Sequence, residues 1–278
     1  MGKIIWLASY PKSGNTWMRA FLHNLLRAPK EGYDINKITD FTVSDSSTAF
    51  FKRVLTKPWQ EWTIQEVADR RWDVQEMITK LHSDNVFVKT HNALVEYMGR
   101  PIIHMEMTAG AIYVLRNPLD VVVSLSHHYG VNMDEAVRII NDPTNGSVSR
   151  AELVYEIHSN WSSHVASWTQ QQHAGLLTLR YEDMLQKPMQ TFSKVTKFLG
   201  LNAPKDRIQH AIEMSSFKKL RDQEDQKGFR ERSDKTDKFF REGKSGQWRD
   251  ILTKSQINKI IEVNKDQMER FGYWPLPK

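Results

Sequence analysis

Ile4-Ile5-Trp6-Leu7-Ala8-Ser9-Tyr10-Pro11-Lys12-Ser13-Gly14-Asn15-Thr16-Trp17 is a short apolar run that ends in a turn carrying one proline, one glycine and one lysine. Beyond the turn, Trp17, Ala20, Phe21, Leu25 and Leu26 recur at helical spacing. The pattern predicts a strand over 4–8, a phosphate-binding turn, and a helix over 15–27. Successive backbone N–H groups in such a turn form an anion-binding concavity, and the positive end of the following helix points at the same spot. Lys12 adds a full charge; Ser13 and Thr16 add hydroxyl donors.

The same alternation continues outward from this unit. Short apolar runs flanked by polar or turn residues predict further strands at Val86–Thr90, Ala111–Leu115 and Leu176–Arg180, as for central strands of a parallel sheet. Helical patterns lie at Pro118–Tyr129, Arg150–Gln172, Met189–Leu199, Pro204–Met214 and Ser255–Phe271. The fold class that follows is α/β: a doubly wound, mainly parallel sheet flanked by helices, with the nucleotide site at a P-loop-like turn. At 278 residues the chain has room for one such domain or two small ones. With no linker in view, a single domain over 1–278 is expected. Residues 33–84 are less regular and read as an insertion covering the sheet edge on the substrate side. Residues 223–240 form a run of mixed charge without apolar anchors, the pattern of a mobile, solvated lid.

Composition narrows the chemistry. The chain has no cysteine, so disulfides, thiolate zinc sites and Cys nucleophiles are all excluded. The adjacent His127 and His128 point in different directions on a helix, and no metal is expected. Lys3 is followed by only a short apolar run, unlike a signal peptide, and no run of about 20 apolar residues exists to cross a membrane. A cytoplasmic protein without a membrane partner is the expectation. A net charge of +6 suits an anionic ligand. Basic residues are scattered among acids, with no arginine-rich tract or stacking motif, so nucleic acid is not the expected partner.

The nucleotide-triphosphate loop reads G-x-x-x-x-G-K-[ST], with lysine after the last glycine. Here Lys12 precedes Gly14, and no Gly-Lys-Ser/Thr occurs. Tyr10 to Trp17 instead closely resembles the 5′-phosphosulfate loop of the cytosolic sulfotransferase family, Y-P-K-S-G-T-T-W, with Asn15 in place of the first threonine. Two further stretches resemble that family in the same order. Arg116-Asn117-Pro118-Leu119-Asp120-Val121-Val122-Val123-Ser124 matches R-N-x-x-D-x-x-x-S. Arg241-Glu242-Gly243-Lys244-Ser245-Gly246-Gln247-Trp248 matches R-K-G-x-x-G-x-W except at Glu242. The resemblance thus spans residues 4 to 249.

The resemblance implies 3′-phosphoadenosine-5′-phosphosulfate (PAPS) as co-substrate, 3′-phosphoadenosine-5′-phosphate (PAP) as product, and no metal. The loop Lys12, Ser13, Gly14, Asn15 and Thr16 would hold the 5′-phosphate. Arg116, Ser124, Arg241, Glu242 and Gly243 would stand at the 3′-phosphate. By itself, Arg116 would as readily pair with Asp120. Glu242 either leaves its charge to be made good by Lys244 or turns away to pair with Arg241. Trp17, Tyr181, Ser215 and Phe217 match residues around the adenine, though each is equally a packing or capping residue.

Sulfuryl transfer to a hydroxyl needs a proton acceptor. Val86-Phe87-Val88-Lys89-Thr90-His91 ends a strand with lysine and histidine, and histidine is the usual general base near neutral pH. The family's K-T-H motif implies His91 as base, Lys89 as a stabiliser of the sulfuryl group, and Lys12 as the cation at the bridging oxygen. A hydroxyl-bearing small molecule or glycosylated natural product is the expected acceptor. Phe41, Phe50, Phe51, Trp59 and Trp62 lean toward an apolar or aromatic one. Residues 249–255 do not match the family's mammalian dimer segment, so oligomeric state stays open. The competing readings are a small-molecule or nucleoside kinase, which would need a Gly-Lys-Ser/Thr loop and a Mg²⁺-binding carboxylate, and a nucleotide-binding module without chemistry.

Overall fold

Strand β1 (Ile4–Ala8) is buried on both faces. Ile4, Trp6 and Ala8 join one apolar cluster and Leu7 joins another. A strand with no solvent face must be central and covered by helices on both sides, which is why its sequence does not alternate. The computed structural model describes residues 2–30 and 32–276. Its main sheet has five strands in the order β2-β3-β1-β4-β5, all parallel, with β2 Thr42–Ser44, β3 Val86–Thr90, β4 Thr108–Leu115 and β5 Leu176–Arg180. Trp6 lies level with Val88 on one side and Ala111 on the other.

Among the described residues the α-helices longer than one turn are α1 (Asn15–Arg27), α2 (Ile64–Thr79), α3 (Pro118–Tyr129), α4 (Met133–Asn141), α5 (Trp161–Thr169), α6 (Tyr181–Gln186), α7 (Pro188–Phe198), α8 (Lys205–Met214), α9 (Phe217–Lys227) and α10 (Lys254–Arg270). Apolar residues of α1, α7 and α8 pack with Leu7, Ile112, Val114 and Leu179 on one face of the sheet. Residues of α2, α3, α5 and α10 pack with Trp6, Tyr113 and Leu115 on the other. This is the doubly wound α/β architecture expected. Chain order reverses about β1, so the loops after β1, β3 and β4 open into one crevice at the carboxyl ends of the strands, where such sheets bind ligands.

Three stretches differ from expectation. The helix expected over 150–172 is only Trp161–Thr169, because Asn160 caps it: its side chain accepts from the Ser163 N–H at 2.7 Å. The preceding residues form a two-stranded piece, Gly146–Ser147 against Glu156–Ile157, facing the crevice. The 33–84 region, expected as an irregular cover, supplies the edge strand β2 itself and holds the 16-residue helix α2. That helix begins with a capping box in which Thr63 and Glu66 satisfy each other's backbone N–H groups. The charged run 223–240 is not unanchored. Its first part belongs to α9; Phe229, Phe239 and Phe240 then pack with Ile35, Ile38 and Leu220. Glu224 accepts from the N–H groups of Phe239 and Phe240, at 2.7 and 2.8 Å.

Candidate active site

The crevice is a cavity of about 1370 Å³ bounded by the β1–α1 loop, the ends of β3 and β4, the loop 146–158, and the segment following α9. Its floor is the β1–α1 turn. Gly14 takes φ 108°, and a Cβ there would stand 2.7 Å from the Tyr181 ring, so only glycine lets the turn sit this close. Lys12 itself lies in the left-handed region at φ 67°. No side chain caps α1 and its first turn carries no acid, which leaves the amides of its first turn open to an anion. Asn15, the one departure from the family loop, staples the turn to the strand: its amide donates to the Leu7 carbonyl at 2.8 Å and to Ser9 Oγ at 3.3 Å.

Lys12 reaches into the cavity, with its ammonium 4.0 Å from the centre of the Phe239 ring and donating to His128 Nδ1 at 3.4 Å. Burial, followed by the charge of Arg116, pushes its pKa down to about 8. Thr16 and Trp17 line the same wall; Ser13 is fully buried, with its hydroxyl unpartnered.

Arg116 leaves the end of β4 and does not pair with Asp120. Its guanidinium lies over the Tyr181 ring at 4.4 Å and donates to the carbonyls of Lys12 and Lys244, at 3.2 and 3.0 Å. Asp120 has another task. Its two oxygens accept from the N–H groups of Gly246 (2.7 Å) and Trp248 (3.3 Å), which draws the 241–248 loop against the start of α3. Asn117 caps α3 by accepting from the Leu119 N–H, so the helix starts at once and Ser124 lines the cavity with Arg116. Arg241, Glu242 and Gly243 line it as well. Glu242 lies 3.7 Å from Arg241, the pairing expected of it, and also 3.7 Å from Lys244, whose charge it faces as well.

Of the residues expected around the adenine, Trp17 and Tyr181 meet edge to face at 5.6 Å, and Phe217 lies on the cavity wall with them. Ser215 is a correction. It is fully buried, and its hydroxyl donates back to the Ala211 carbonyl at 2.7 Å. The next residue, Ser216, lines the cavity instead.

Lys89 and His91 stand on the far wall. His91 Nδ1 lies 2.8 Å from the Ser9 carbonyl, which accepts only, so Nδ1 carries the proton and Nε2 is the free lone pair. Burial, then the charge of Lys89, holds its pKa well below the usual histidine value. Its backbone is fixed by His164, whose Nε2 donates to the His91 carbonyl at 3.1 Å while Nδ1 accepts from Tyr113 Oη at 2.8 Å. Lys89 pairs with Glu156 at 3.4 Å. Glu156 and His158 were not singled out in the sequence. Their signal is the i, i+2 spacing that puts alternate residues of extended backbone on one face. Of the aromatics Phe41, Phe50, Phe51, Trp59 and Trp62, Phe50 alone lines this cavity.

Unpartnered buried atoms cluster here: Ser13 Oγ, Asn15 Oδ1, Trp17 Nε1 and Arg116 Nε. Buried polar atoms normally have partners, and the donors among these, the Ser13 hydroxyl and the N–H groups of Trp17 and Arg116, fit a phosphorylated nucleotide lying along the β1–α1 loop and Arg116. Among the described residues no cluster of His, Cys, Asp and Glu could hold a metal ion.

Residues 3–272 match the family model for the sulfotransferase domain. The chain belongs to the sulfotransferase family, which uses PAPS as donor. Among curated relatives, sulfotransferase 1A1 of Canis lupus familiaris is 24% identical over 276 residues, covering 96% of this chain and 83% of that protein. The flavonol 3-sulfotransferase of Flaveria bidentis is also 24% identical, covering 96% and 82%. The fold of this sulfotransferase is shared with the mouse sulfotransferase SULT7A1 complexed with PAP, at TM-score 0.64 and 20% identity over 96% of this chain and 84% of that one. It is shared equally with retinol dehydratase in complex with androsterone and PAP, at TM-score 0.65 and 19% identity over 96% and 80%. No described helix of this sulfotransferase is long and apolar enough to cross a membrane.

Proposed function

We propose that this sulfotransferase moves a sulfuryl group in line from PAPS to a hydroxyl of a small-molecule or glycosylated acceptor, with His91 as general base. The observation that carries this reading is the His91 tautomer: a neutral imidazole whose Nδ1 proton is committed to Ser9, leaving Nε2 able to take the acceptor proton. PAPS, when bound, supplies a sulfuryl group whose bond to the 5′-phosphate breaks as the acceptor oxygen forms its bond to sulfur.

The β1–α1 amides, Lys12 and Thr16 hold the 5′-phosphate, and Lys12 meets the charge left on its bridging oxygen. Arg116, Ser124, Arg241 and Gly243 hold the 3′-phosphate, while Trp17, Tyr181 and Phe217 enclose the base. Lys89 stands beside the sulfuryl oxygens, with its ammonium kept in place by Glu156. Residues 223–240 cover the donor end, and slower cleavage there by protease in the presence of PAP is expected.

The test is His91→Ala. Turnover should fall about 10²- to 10⁴-fold, while stabilisation by PAP stays intact. Undiminished turnover would remove His91 from the chemistry. In the parent enzyme, PAP at about 100 times its Kd should add about 2.7 kcal/mol of stability. Stabilisation only by ATP with Mg²⁺ would instead favour a kinase.

A further inference from the structure

The cavity beyond His91 sets a group of polar side chains among apolar ones such as Ala49, Phe50 and Leu153. Ser44, Ser47 and Ser147 line it together with Lys89, Glu156 and His158. Glu156 and His158 are 5% and 3% exposed, so whatever meets them does so largely out of water. Neither ring nitrogen of His158 has a hydrogen-bond partner among the described residues. Glu156 Oε1 takes a long contact from Lys89 at 3.4 Å, and Oε2 lies 3.7 Å from His158 Nε2. That second separation is too wide for a direct hydrogen bond. It suits one oxygen placed about 2.8 Å from each. A hydroxyl has the matching chemistry, since it donates once and accepts twice: it gives its proton to Glu156 and accepts from His158. The ammonium of Lys89 disfavours a cationic group at the same place. A sterol or simple phenol would bury these polar atoms without partners, which is unfavourable.

We propose that Glu156 and His158 form a subsite for a second hydroxyl of the acceptor, so that the enzyme selects vicinal diols, such as a sugar or a catechol, over monohydroxyl compounds. The inference rests on the reading of His91 as the base that takes the proton from the first hydroxyl. Burial would raise the Glu156 carboxyl, but Lys89 and then His158 hold it well below the usual range, so it stands ready as an acceptor.

The experiment compares matched probes with PAPS and the whole enzyme: catechol against phenol, and methyl β-glucopyranoside against cyclohexanol. For at least one pair, kcat/KM should favour the diol by roughly tenfold or more, because a site built to bond a hydroxyl rejects the analogue without it. In Glu156→Gln and in His158→Phe that ratio should fall toward one, chiefly through a higher KM for the diol, with the PAP-induced shift in Tm kept. His158→Phe preserves the ring that meets Tyr10 at 6.4 Å, so it tests the idea even if the loss of the Lys89 partner unfolds Glu156→Gln. Equal use of diol and monohydroxyl probes, or a preference that survives in His158→Phe, overturns the subsite and leaves the sulfotransferase reading standing. Sulfation of no hydroxyl probe overturns that reading and the subsite with it. The pair that shows the preference tells a sugar from a catechol.

Discussion

His91 gives its Nδ1 proton to the backbone carbonyl of Ser9 across 2.8 Å, tying the end of β3 to the end of β1. The bond fixes the tautomer and aims Nε2 away from Ser9. Burial first, and the charges of Lys89 and His158 with it, disfavour the imidazolium; Glu156 and the Ser9 bond oppose them without winning. A base acts in its deprotonated form, so activity is lost as pH falls through the His91 pKa. We expect kcat/KM to stay level as pH falls through about 6.5, the ordinary histidine value. On the alkaline side, the Lys12 ammonium, with its pKa near 8, loses its proton and the rate declines. Lys12→Arg should lift that limb, because a guanidinium stays charged. An acid limb at or above the ordinary histidine value would contradict this account.

Glu242 stands where a lysine would serve a phosphate better. Its carboxylate lies 3.7 Å from both Arg241 and Lys244 and competes with any anion for them. Replacing it should strengthen PAP binding, with Glu242→Lys exceeding Glu242→Gln. The side chain is 40% exposed, so the gain is that of a screened surface pair, roughly two- to fivefold in Kd. It should shrink as salt is added. Calorimetric titration of PAP into the three proteins decides the matter; equal affinities would mean that Glu242 does not face the ligand.

What the sequence made legible was local. The strand, turn and helix around Lys12 are contiguous, so apolar period and turn chemistry sufficed, and the bounds of β1 and α1 follow from them. Arg116 and His91 were legible because each follows a strand, and strand ends meet at the crevice of a parallel sheet. Ser215 was expected at the cavity, but one residue at a helix end turns a side chain by a large angle, and its buried hydroxyl donates to the helix carbonyl of Ala211. Helix α2 was hidden because its buried face carries Arg71 and Gln75, which break the apolar period. Arg71 is neutralised by Asp45, and Gln75 donates to the Ile102 carbonyl; these partners are distant in sequence. Glu156 and His158 were hidden for a similar reason. The loop that carries them is held by backbone bonds from Thr48 to Glu152 and from Val154 to Ser46, a pairing no local pattern announces.

Gly243 lies at φ 64°, and a Cβ there would stand 2.2 Å from the Phe217 ring. Gly243→Ala therefore has to move Phe217 or the loop that carries Arg241, both of which line the cavity where the donor is proposed to lie. We expect PAP binding to weaken by roughly tenfold or more, with a loss of about 1 kcal/mol or more of stability from the left-handed backbone. Gly200 is the control. It has φ 67° and nothing within 4 Å of a Cβ, so Gly200→Ala bears the backbone strain alone and keeps its PAP affinity. Equal effects of the two substitutions on PAP binding would dismiss the packing argument.

His23 is fully buried, edge-on to Tyr33 and Phe41, and neither ring nitrogen has a partner among the described residues. Burial, then the charges of Arg19 and Arg27, pushes its pKa down to about 3. His164, also fully buried, is likewise pushed down to about 3. Between that value and the unfolded value of about 6.5, the unfolded chain binds protons that the folded chain does not. Stability therefore rises with pH across this window and is lost as pH falls through it, by up to about 1.4 kcal/mol per pH unit for each histidine. Asp45 works the other way, since burial raises its pKa to about 6 and the folded state takes its proton first. His91 and His128, whose pKa values are lowered as well, add to the same slope. These four histidines against one aspartate leave it positive, and urea unfolding should show the protein weakening between neutral pH and about pH 5. His23→Leu, close in volume and without the unpartnered nitrogens, should raise stability at neutral pH and flatten the slope. An unchanged slope in that variant would show that His23 does not stay neutral in the fold.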